Sequence, residues 1–176
     1  MPAIRLATLA DVPALNQLIE QSVRGLSRGY SAAETESALR YVFGVDTQLV
    51  TDGTYFVVEA DEQTVGCGGW SRRATLFGGD QHKNAPDPLL DPARDAARIR
   101  AFFVHPTYAR QGVGQRILNT CEAAARAAGF RQLELASTPA GEPFYAAHGY
   151  AVVEHLWLTL PDGALHPIIR MAKSFT

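Results

Sequence analysis

The stretch VHPTYARQGVGQRIL, residues 104–118, decides the fold because it joins a predicted strand directly to a predicted helix. Residues 98–104 are apolar and aromatic enough for a buried strand, and a helical apolar stripe follows from residue 113 to residue 128. The first turn of a helix has backbone N–H groups without intrahelical partners and is positive through the helix dipole. Glycine at 112 and 114 lets a bulky anion approach, and Arg110 adds a cationic donor. The segment predicts a phosphate-binding turn.

The residues around these glycines limit which phosphate ligand fits. A P-loop requires Lys and Ser or Thr after its last glycine, whereas Gln115 and Arg116 stand here. A dinucleotide fingerprint needs a third small residue where Ile117 stands, although Glu134 lies at a suitable distance downstream. Two such glycines also serve close packing of a helix on a sheet. The P-loop is excluded, and the dinucleotide site and the packing role stay open at this point.

The rest of the chain alternates between helical and strand patterns. The predicted strands cover residues 4–8, 55–59, 64–70, 98–104, 133–137, 150–160 and 165–171. The predicted helices cover residues 11–23, 31–43, 112–128 and 142–148. Asp11 is the predicted N-cap of the first helix, and Ser31 with Glu34 is the predicted capping box of the second. The three glycines at 66, 68 and 69 predict a bulge or a close backbone approach in the third of these strands, residues 64–70. Residues 72–97 are rich in Gly and Pro and predict a long loop, functional or mobile.

Composition excludes several classes of protein. A length of 176 residues fits a single domain over 1–176, and 47% apolar residues support a core without disulfides. The net charge of −2 argues against broad binding of nucleic acid or an anionic membrane. Two cysteines, Cys67 and Cys121, and five histidines show no metal-ligand spacing. Without an N-terminal leader pattern or a membrane-length apolar run, we expect a cytoplasmic protein with reduced thiols and no metal.

Two motifs in the second half of the chain resemble the signatures of one protein family. Val104-His105-Pro106 with Gln111-Gly112-Val113-Gly114 comes first, and the aromatic motif of residues 144–150, Phe-Tyr-Ala-Ala-His-Gly-Tyr, follows. In this order they resemble the signatures of the GCN5-related N-acetyltransferase (GNAT) superfamily. One departure is Ala109, where the family usually has Arg or Gln. The element order extends the resemblance over nearly the whole chain.

The resemblance implies an α/β (α+β) fold with a mixed, mostly antiparallel twisted sheet and helices on both faces. Its central strands would be splayed to bind acetyl-CoA as co-substrate. The backbone of Phe103 and Val104 would hold the pantetheine arm, and an N–H near Val104 would stabilise the oxyanion. The pyrophosphate would lie on the backbone N–H groups of Arg110, Gln111, Gly112, Val113 and Gly114. Tyr145 would lie near the thioester sulfur.

Acetyl transfer to an amine needs an acid for the departing thiolate and a base for the amine. Tyr145 fits the acid, since a phenol pKa of ~10 is close to the ~8.5 of a thiol, although an aromatic residue there also packs. Some family members carry a glutamate base where this chain has Arg98. Glu59, at the end of a strand, is then the first candidate base. Glu134 is the second, and an ordered water is the third.

The sequence therefore predicts an N-acetyltransferase that moves an acetyl group from acetyl-CoA to a primary amine of a small molecule or peptide. The acids of the 72–97 loop, Asp80, Asp87, Asp91 and Asp95, either attract a cationic amine or serve solubility. A homodimer is compatible with the sequence. Because Arg98 replaces the family's base, the alternative function is a non-catalytic acyl-CoA-binding or sensor module. The dinucleotide-binding oxidoreductase is the third alternative.

Overall fold

A computed structural model describes residues 2–83, 85 and 87–175 of the chain. Within them one twisted sheet contains β1 Ala3–Leu6, β2 Tyr55–Ala60, β3 Gln63–Ser71, β4 Ala97–Val104, β5 Gln132–Ser137, β6 Ala151–Thr159 and β7 Leu165–Ser174. The strand order is β1-β2-β3-β4-β5-β7-β6. Every neighbouring pair is antiparallel except β4 with β5, which is parallel. The mixed, mostly antiparallel sheet expected from the sequence is confirmed.

Helices cover both faces of this sheet. They are α1 Val12–Leu26, α2 Ala32–Tyr41, α3 Thr47–Thr51, α4 Val113–Ala127 and α5 Glu142–Ala147. Val57 of β2 is buried on the α1 face, and its neighbour Val58 is buried on the α4 face. This alternation is what a strand with two covered faces requires. The α1 face is filled by Leu15, Leu18 and Ile19, and the α4 face by Ile117, Leu118 and Cys121.

The helix starts follow from local capping, with one difference from the sequence prediction. Ser31 Oγ accepts a hydrogen bond from the Glu34 N–H at 3.1 Å, and the Glu34 carboxylate accepts one from the Ser31 N–H at 3.0 Å. This capping box starts α2 as predicted. Asp11 does precede α1, but its carboxylate turns back to the Thr8 N–H at 2.7 Å and to the guanidinium of Arg5. The predicted side-chain cap of α1 by Asp11 is therefore wrong.

The 72–97 segment has more structure than the long loop predicted from its glycines and prolines. It contains a 3-10 turn at Asp80–His82 and a β-bridge between Arg73 and Leu89. The Gly79 N–H donates to the Val42 carbonyl at 2.8 Å, which attaches the loop to the end of α2. Helix α3 was not predicted because its five residues are too few to show a helical period. Asn84 and Pro86, within the predicted loop, lie outside the described residues.

A β-bulge interrupts β4 opposite the glycine-rich part of β3. Cys67 pairs with Phe103 and Gly69 with Arg100, so Ala101 and Phe102 together oppose Gly68. A Cβ on Gly68 would lie 2.5 Å from the Phe102 ring, so this position excludes a larger residue. Ala101 adopts a left-handed φ of +55°. The bulge and the close approach predicted from the three glycines are confirmed.

The hydroxyl of a buried tyrosine supports this bulge. Tyr55 is 1% exposed, and its hydroxyl donates to the Ala101 carbonyl at 2.8 Å while lying 3.1 Å from Cys67 Sγ. Burial raises the pKa of Tyr55 well above its ordinary value, so the hydroxyl remains a donor throughout the working pH range.

Replacing Tyr55 by Phe should lower the free energy of unfolding by about 1 to 3 kcal/mol, because the buried Ala101 carbonyl loses its hydrogen bond. Urea denaturation followed by circular dichroism measures this change. Tyr41→Phe is the matched control, since the ring of Tyr41 lies beside Arg40 near the surface rather than in the core. Equal stability of the two variants would contradict the role given to Tyr55.

Candidate active site

The turn between β4 and α4 presents a row of unused backbone donors. His105 ends the strand, Pro106–Tyr108 form a 3-10 turn, and the first backbone bond into α4 runs from the Arg116 N–H to the Gly112 carbonyl at 3.0 Å. Among the described residues, the N–H groups of residues 110–115 have no well-aligned acceptor. Successive unpaired N–H groups at the head of a helix form a concave anion site.

The two glycines of this turn are favoured for different reasons, backbone conformation at 112 and packing space at 114. Gly112 precedes α4 with φ of +84°, a left-handed conformation that favours glycine, and a Cβ there would meet no atom within 4 Å. Gly114 is limited by space instead, since its Cβ would lie 3.3 Å from the Phe144 ring. The backbone shape therefore favours glycine at 112, whereas the packing of α4 on α5 favours a small residue at 114.

Side chains hold the turn in this shape and leave its outer face cationic. Gln111 Nε2 donates to the Thr107 carbonyl at 2.8 Å, and His105 Nδ1 accepts from the Thr107 N–H at 3.2 Å. Arg110 is exposed, with φ of +61°. Gln111 thus braces the loop with its side chain, which leaves its N–H for a ligand. Val113 is buried in the core and anchors the helix start.

The strands β4 and β5 diverge beside this turn. They pair only at Ala97 with Leu133 and at Arg98 with Glu134, so β4 has no register partner in β5 from Ile99 to its end. The splayed central strands expected for a cofactor slot are therefore present. Phe103 and Val104 lie on the free part of β4.

The Val104 backbone, expected to hold the pantetheine arm and to supply an oxyanion donor near the slot, is engaged by α1. Its N–H donates to Ser22 Oγ at 3.2 Å. The geometry therefore gives no support to Val104 as the oxyanion donor. Ser22 is a buried polar residue that the sequence reasoning missed. The helical pattern of the sequence, which places Ser22 on the inner face of α1 one residue before the buried Val23, could have identified it.

Tyr145 lies on α5 beside the bulge. Its ring centroid is 6.2 Å from that of Phe102, 5.0 Å from Phe144 and 5.8 Å from Tyr150. Burial raises the pKa of Tyr145 above its ordinary value of 10. The hydroxyl therefore stays protonated at working pH, but it is a weaker acid than the unperturbed phenol assumed from the sequence.

Glu59, the first base candidate, does not lie where the sequence reasoning placed it. It pairs with Ala3 of the edge strand β1, and β3 separates its own strand from β4. Its carboxylate accepts a hydrogen bond from Arg5 at 2.6 Å. The strand end was read correctly, but the sequence does not show that the strand is next to the sheet edge. The geometry therefore favours a structural ion pair for Glu59.

Glu134, the second base candidate, is held between two arginines. Arg98 donates to it at 3.2 Å and Arg170 at 3.1 Å. Arg98 is thus the partner of a carboxylate from the neighbouring strand. This network fixes β4 to β5 at the closed end of the slot. It leaves little of the Glu134 carboxylate for a substrate proton.

The four aspartates of the 72–97 segment are used within the protein. Asp80 accepts from the N–H of Thr47, the first residue of α3, at 2.9 Å, and Asp87 pairs with Lys83 at 2.9 Å. Asp91 and Asp95 close a turn, with the Asp91 N–H donating to Asp95 at 2.7 Å. These contacts do not support the expectation that they attract a cationic amine. The roles found are local and structural.

An aromatic group that the sequence did not reveal lies on the α1 face of β4. Phe43 makes edge contacts with Phe103 at 5.9 Å and with His166 at 5.3 Å between centroids, and Tyr30 lies 5.8 Å from His166. These residues come from the α1–α2 connection, the end of α2, β4 and β7. They are far apart in sequence, and only the alternation of buried residues along β7 was available as a signal. A groove of about 380 Å³ between α1 and α2 also reaches Phe43.

The sequence of the chain matches the model of a known protein family. The family model described as the acetyltransferase (GNAT) domain matches residues 51–152, more than half of the 176-residue chain. The chain belongs to the GNAT acetyltransferase family. Membership supports acyl transfer as the general activity and does not fit the dinucleotide-binding oxidoreductase. No curated protein matches the sequence.

Solved GNAT structures share the fold at low identity. A GCN5-related N-acetyltransferase from Rhodopseudomonas palustris is 19% identical, with 99% of this chain and 96% of that chain covered and a TM-score of 0.73. The PaiA N-acetyltransferase of Thermoplasma acidophilum, in complex with coenzyme A, is 14% identical over 99% of both chains, with a TM-score of 0.65. The ribosomal-protein-S18-alanine N-acetyltransferase of Escherichia coli is 17% identical, covers 100% and 95%, and has a TM-score of 0.61.

Within residues 2–83, 85 and 87–175, no group of three or more His, Cys, Asp or Glu side chains is placed to hold a metal ion. None of the helices in that part of the chain combines the length and apolar character needed to cross a membrane.

The turn can be tested with a matched pair of variants at Gly112. Asn and Asp both tolerate a left-handed backbone better than most residues and have nearly the same shape, but only Asp adds a negative charge. We expect Gly112→Asp to bind coenzyme A at least tenfold more weakly than Gly112→Asn, a difference of about 1.4 kcal/mol, measured by calorimetry. Equal dissociation constants in two folded variants would refute anion binding at this turn.

Proposed function

We propose that the chain is an acetyl-CoA-dependent N-acetyltransferase whose acceptor is a primary amine. The observation that carries the proposal is the row of unpaired N–H groups at residues 110–115, placed where β4 separates from β5. Coenzyme A has a diphosphate joined to a narrow pantetheine arm, which matches an anion site placed next to a slot between strands. Family membership and the coenzyme A complex of the Thermoplasma relative support the same reading.

Coenzyme A fits the residues present at each end of the slot. The N–H groups of Arg110, Gln111, Gly112, Val113 and Gly114 would bind its pyrophosphate, with the Arg110 guanidinium free to add a charged contact. The free edge of β4 at Phe103 and Val104 would receive the amide groups of the pantetheine arm. For Val104 this requires Ser22 to release the N–H, a local side-chain rotation at the inner face of α1.

Tyr145 would provide a hydrogen bond to the departing thiolate. A raised pKa keeps its hydroxyl protonated, so the donor is present at every working pH. The same shift makes complete proton transfer to sulfur less favourable than the ordinary phenol and thiol pKa values suggest. We therefore assign Tyr145 to stabilising negative charge on sulfur in the transition state, with its proton passing to sulfur as the bond to the carbonyl breaks.

The acceptor is a primary amine of a small molecule or a peptide, which reaches the slot from the face of the sheet covered by α1 and α2. Neither Glu59 nor Glu134 is placed to take its proton, because each is bound to arginine. An ordered water or another side chain must serve. A cytoplasmic location and a homodimer stay predictions from the sequence.

Incubating the protein with acetyl-CoA and a panel of amines should release free coenzyme A thiol and give products heavier by one acetyl group, measured by mass spectrometry. Tyr145→Phe keeps the ring and removes only the hydroxyl. We expect its kcat to fall by ~10²–10⁴-fold with little change in coenzyme A affinity, the pattern of an interaction made in the transition state. Because the pKa of Tyr145 is raised, the kcat–pH profile should show no basic limb from this group below pH ~10.

Tyr41→Phe provides the control for loss of a tyrosine hydroxyl outside the slot. Turnover of Tyr145→Phe within about threefold of wild type, with the chemical step rate-limiting, would remove Tyr145 from the mechanism. Acetyl-CoA binding without transfer to any amine would favour the sensor module instead, the alternative suggested by Arg98.

A further inference from the structure

The aromatic group on the α1 face contains a histidine with unusual surroundings. His166 lies near the start of β7 and is 5% exposed. Ile169 and Met171 of the same strand face the α4 core, so the alternation of the strand points His166 to the opposite face, toward α1 and α2. Its ring contacts those of Phe43 and Tyr30.

A polar group without a partner lies beside His166. The Tyr30 hydroxyl is fully buried and has no hydrogen-bond partner among the residues that the structure describes. Burial, with a smaller effect from Glu34, raises the pKa of Tyr30 to about 12. A buried hydroxyl without a partner costs free energy, on the order of 1–3 kcal/mol in proteins, so its retention calls for an explanation. A ligand that binds beside His166 and contacts the Tyr30 oxygen would give this hydroxyl a partner.

The position of this pair relative to β4 connects it with the slot. Phe102 and Phe103 are consecutive residues on the free part of β4 and point to opposite faces of the sheet. Tyr145 contacts Phe102 on one face, and Phe43 links Phe103 to His166 on the other. Tyr145 on one face and His166, through the ring of Phe43, on the other face are thus connected with two consecutive residues of β4. In acyl transfer the attacking and leaving groups are both bonded to one carbon, so a base and an acid are needed on different sides of it.

We infer that His166 is the general base of the transfer and that Tyr30 binds the same acceptor amine. This inference rests on the proposed function and deepens it. The imidazole takes one proton of the amine, while the Tyr30 oxygen accepts a hydrogen bond from the other N–H. The ligand class is therefore a primary amine entering from the α1–α2 face, with an apolar part next to Phe43.

The step balances in atoms and electrons. The amine nitrogen gives its lone pair to the thioester carbonyl carbon, forming the C–N bond, while the carbonyl π electrons move to oxygen. His166 takes the N–H proton and becomes an imidazolium. The carbonyl re-forms as the C–S bond breaks, and sulfur keeps that electron pair and takes a proton from Tyr145. Solvent then removes the proton from His166 and returns one to Tyr145, so the products are the amide and free coenzyme A.

The charges around His166 favour its neutral form, which a base requires. The groups facing it are Tyr30 from the α1–α2 connection, Phe43 from the end of α2, and His82 from the 3-10 turn of the 72–97 segment. Burial first, and then His82, lower the pKa of His166 below its ordinary value of 6.5. The imidazole thus stays neutral at pH 7 and below, and it becomes charged only as the pH falls through the lowered pKa.

The test compares His166→Phe, which keeps an aromatic ring against Phe43, with His155→Phe on the exposed strand β6. We expect kcat to fall by ~10²–10⁴-fold for His166→Phe and to stay near wild type for the control. The acid limb of the wild-type kcat–pH profile should lie below pH 6.5 and disappear in His166→Phe. Coenzyme A affinity should be the same in all three proteins. In His166→Ala, added imidazole should restore part of the lost turnover.

The outcomes separate this inference from the proposed function. If the wild type transfers acetyl groups and the kcat of His166→Phe lies within about threefold of the wild-type value, the role of His166 is overturned and the acetyltransferase proposal stands. An acid limb that is unchanged in His166→Phe would have the same meaning. Absence of transfer by wild type to every amine would overturn both. A fall in kcat without rescue by imidazole and without a change in the pH profile would show that His166 only packs.

Discussion

The bulge in β4 is the constraint on which the rest of the site depends. Two residues, Ala101 and Phe102, oppose Gly68 alone, so the strand bends and its pattern of faces shifts by one residue. Ala97 and Ile99 face the α4 core before the bulge, and Phe102 and Val104 face it afterwards. The bulge lies in the part of β4 that has no register partner in β5, beside the slot. Tyr55 supports the bulge from below through its bond to the Ala101 carbonyl.

Two networks of charged groups hold the strands beside the slot. Arg100, 2% exposed on β4, is paired with Asp46 at 3.1 Å, and Lys83 contacts the same carboxylate at 2.7 Å. This buried network joins β4, the start of α3 and the 72–97 segment, and removing Asp46 would leave two cations unpaired. On the other wall, Glu134 joins Arg98 to Arg170. With the carboxylates engaged in this way, the proposed chemistry relies on uncharged groups and backbone donors.

The sequence was sufficient for the parts of the fold that depend on local pattern. The helix after Gly112, the capping box at Ser31 and the strands around residues 98–104 and 133–137 follow from periodicity, turn chemistry and composition. The sequence was insufficient where contacts join distant segments. Strand order placed Glu59 beside Arg5, and no local signal marks the meeting of Tyr30 with His166. The acids of the 72–97 segment were visible, but their partners were not.

The central claim is that the N–H groups of residues 110–115 bind the pyrophosphate of coenzyme A. Hydrogen–deuterium exchange with mass spectrometry, with and without acetyl-CoA, tests it directly, because these amides have no well-aligned internal acceptor and should exchange quickly in the free protein. The account predicts that acetyl-CoA slows exchange at the head of α4 and along the free part of β4. Unchanged exchange at residues 110–115 under saturating acetyl-CoA, with protection confined to another surface, would contradict it.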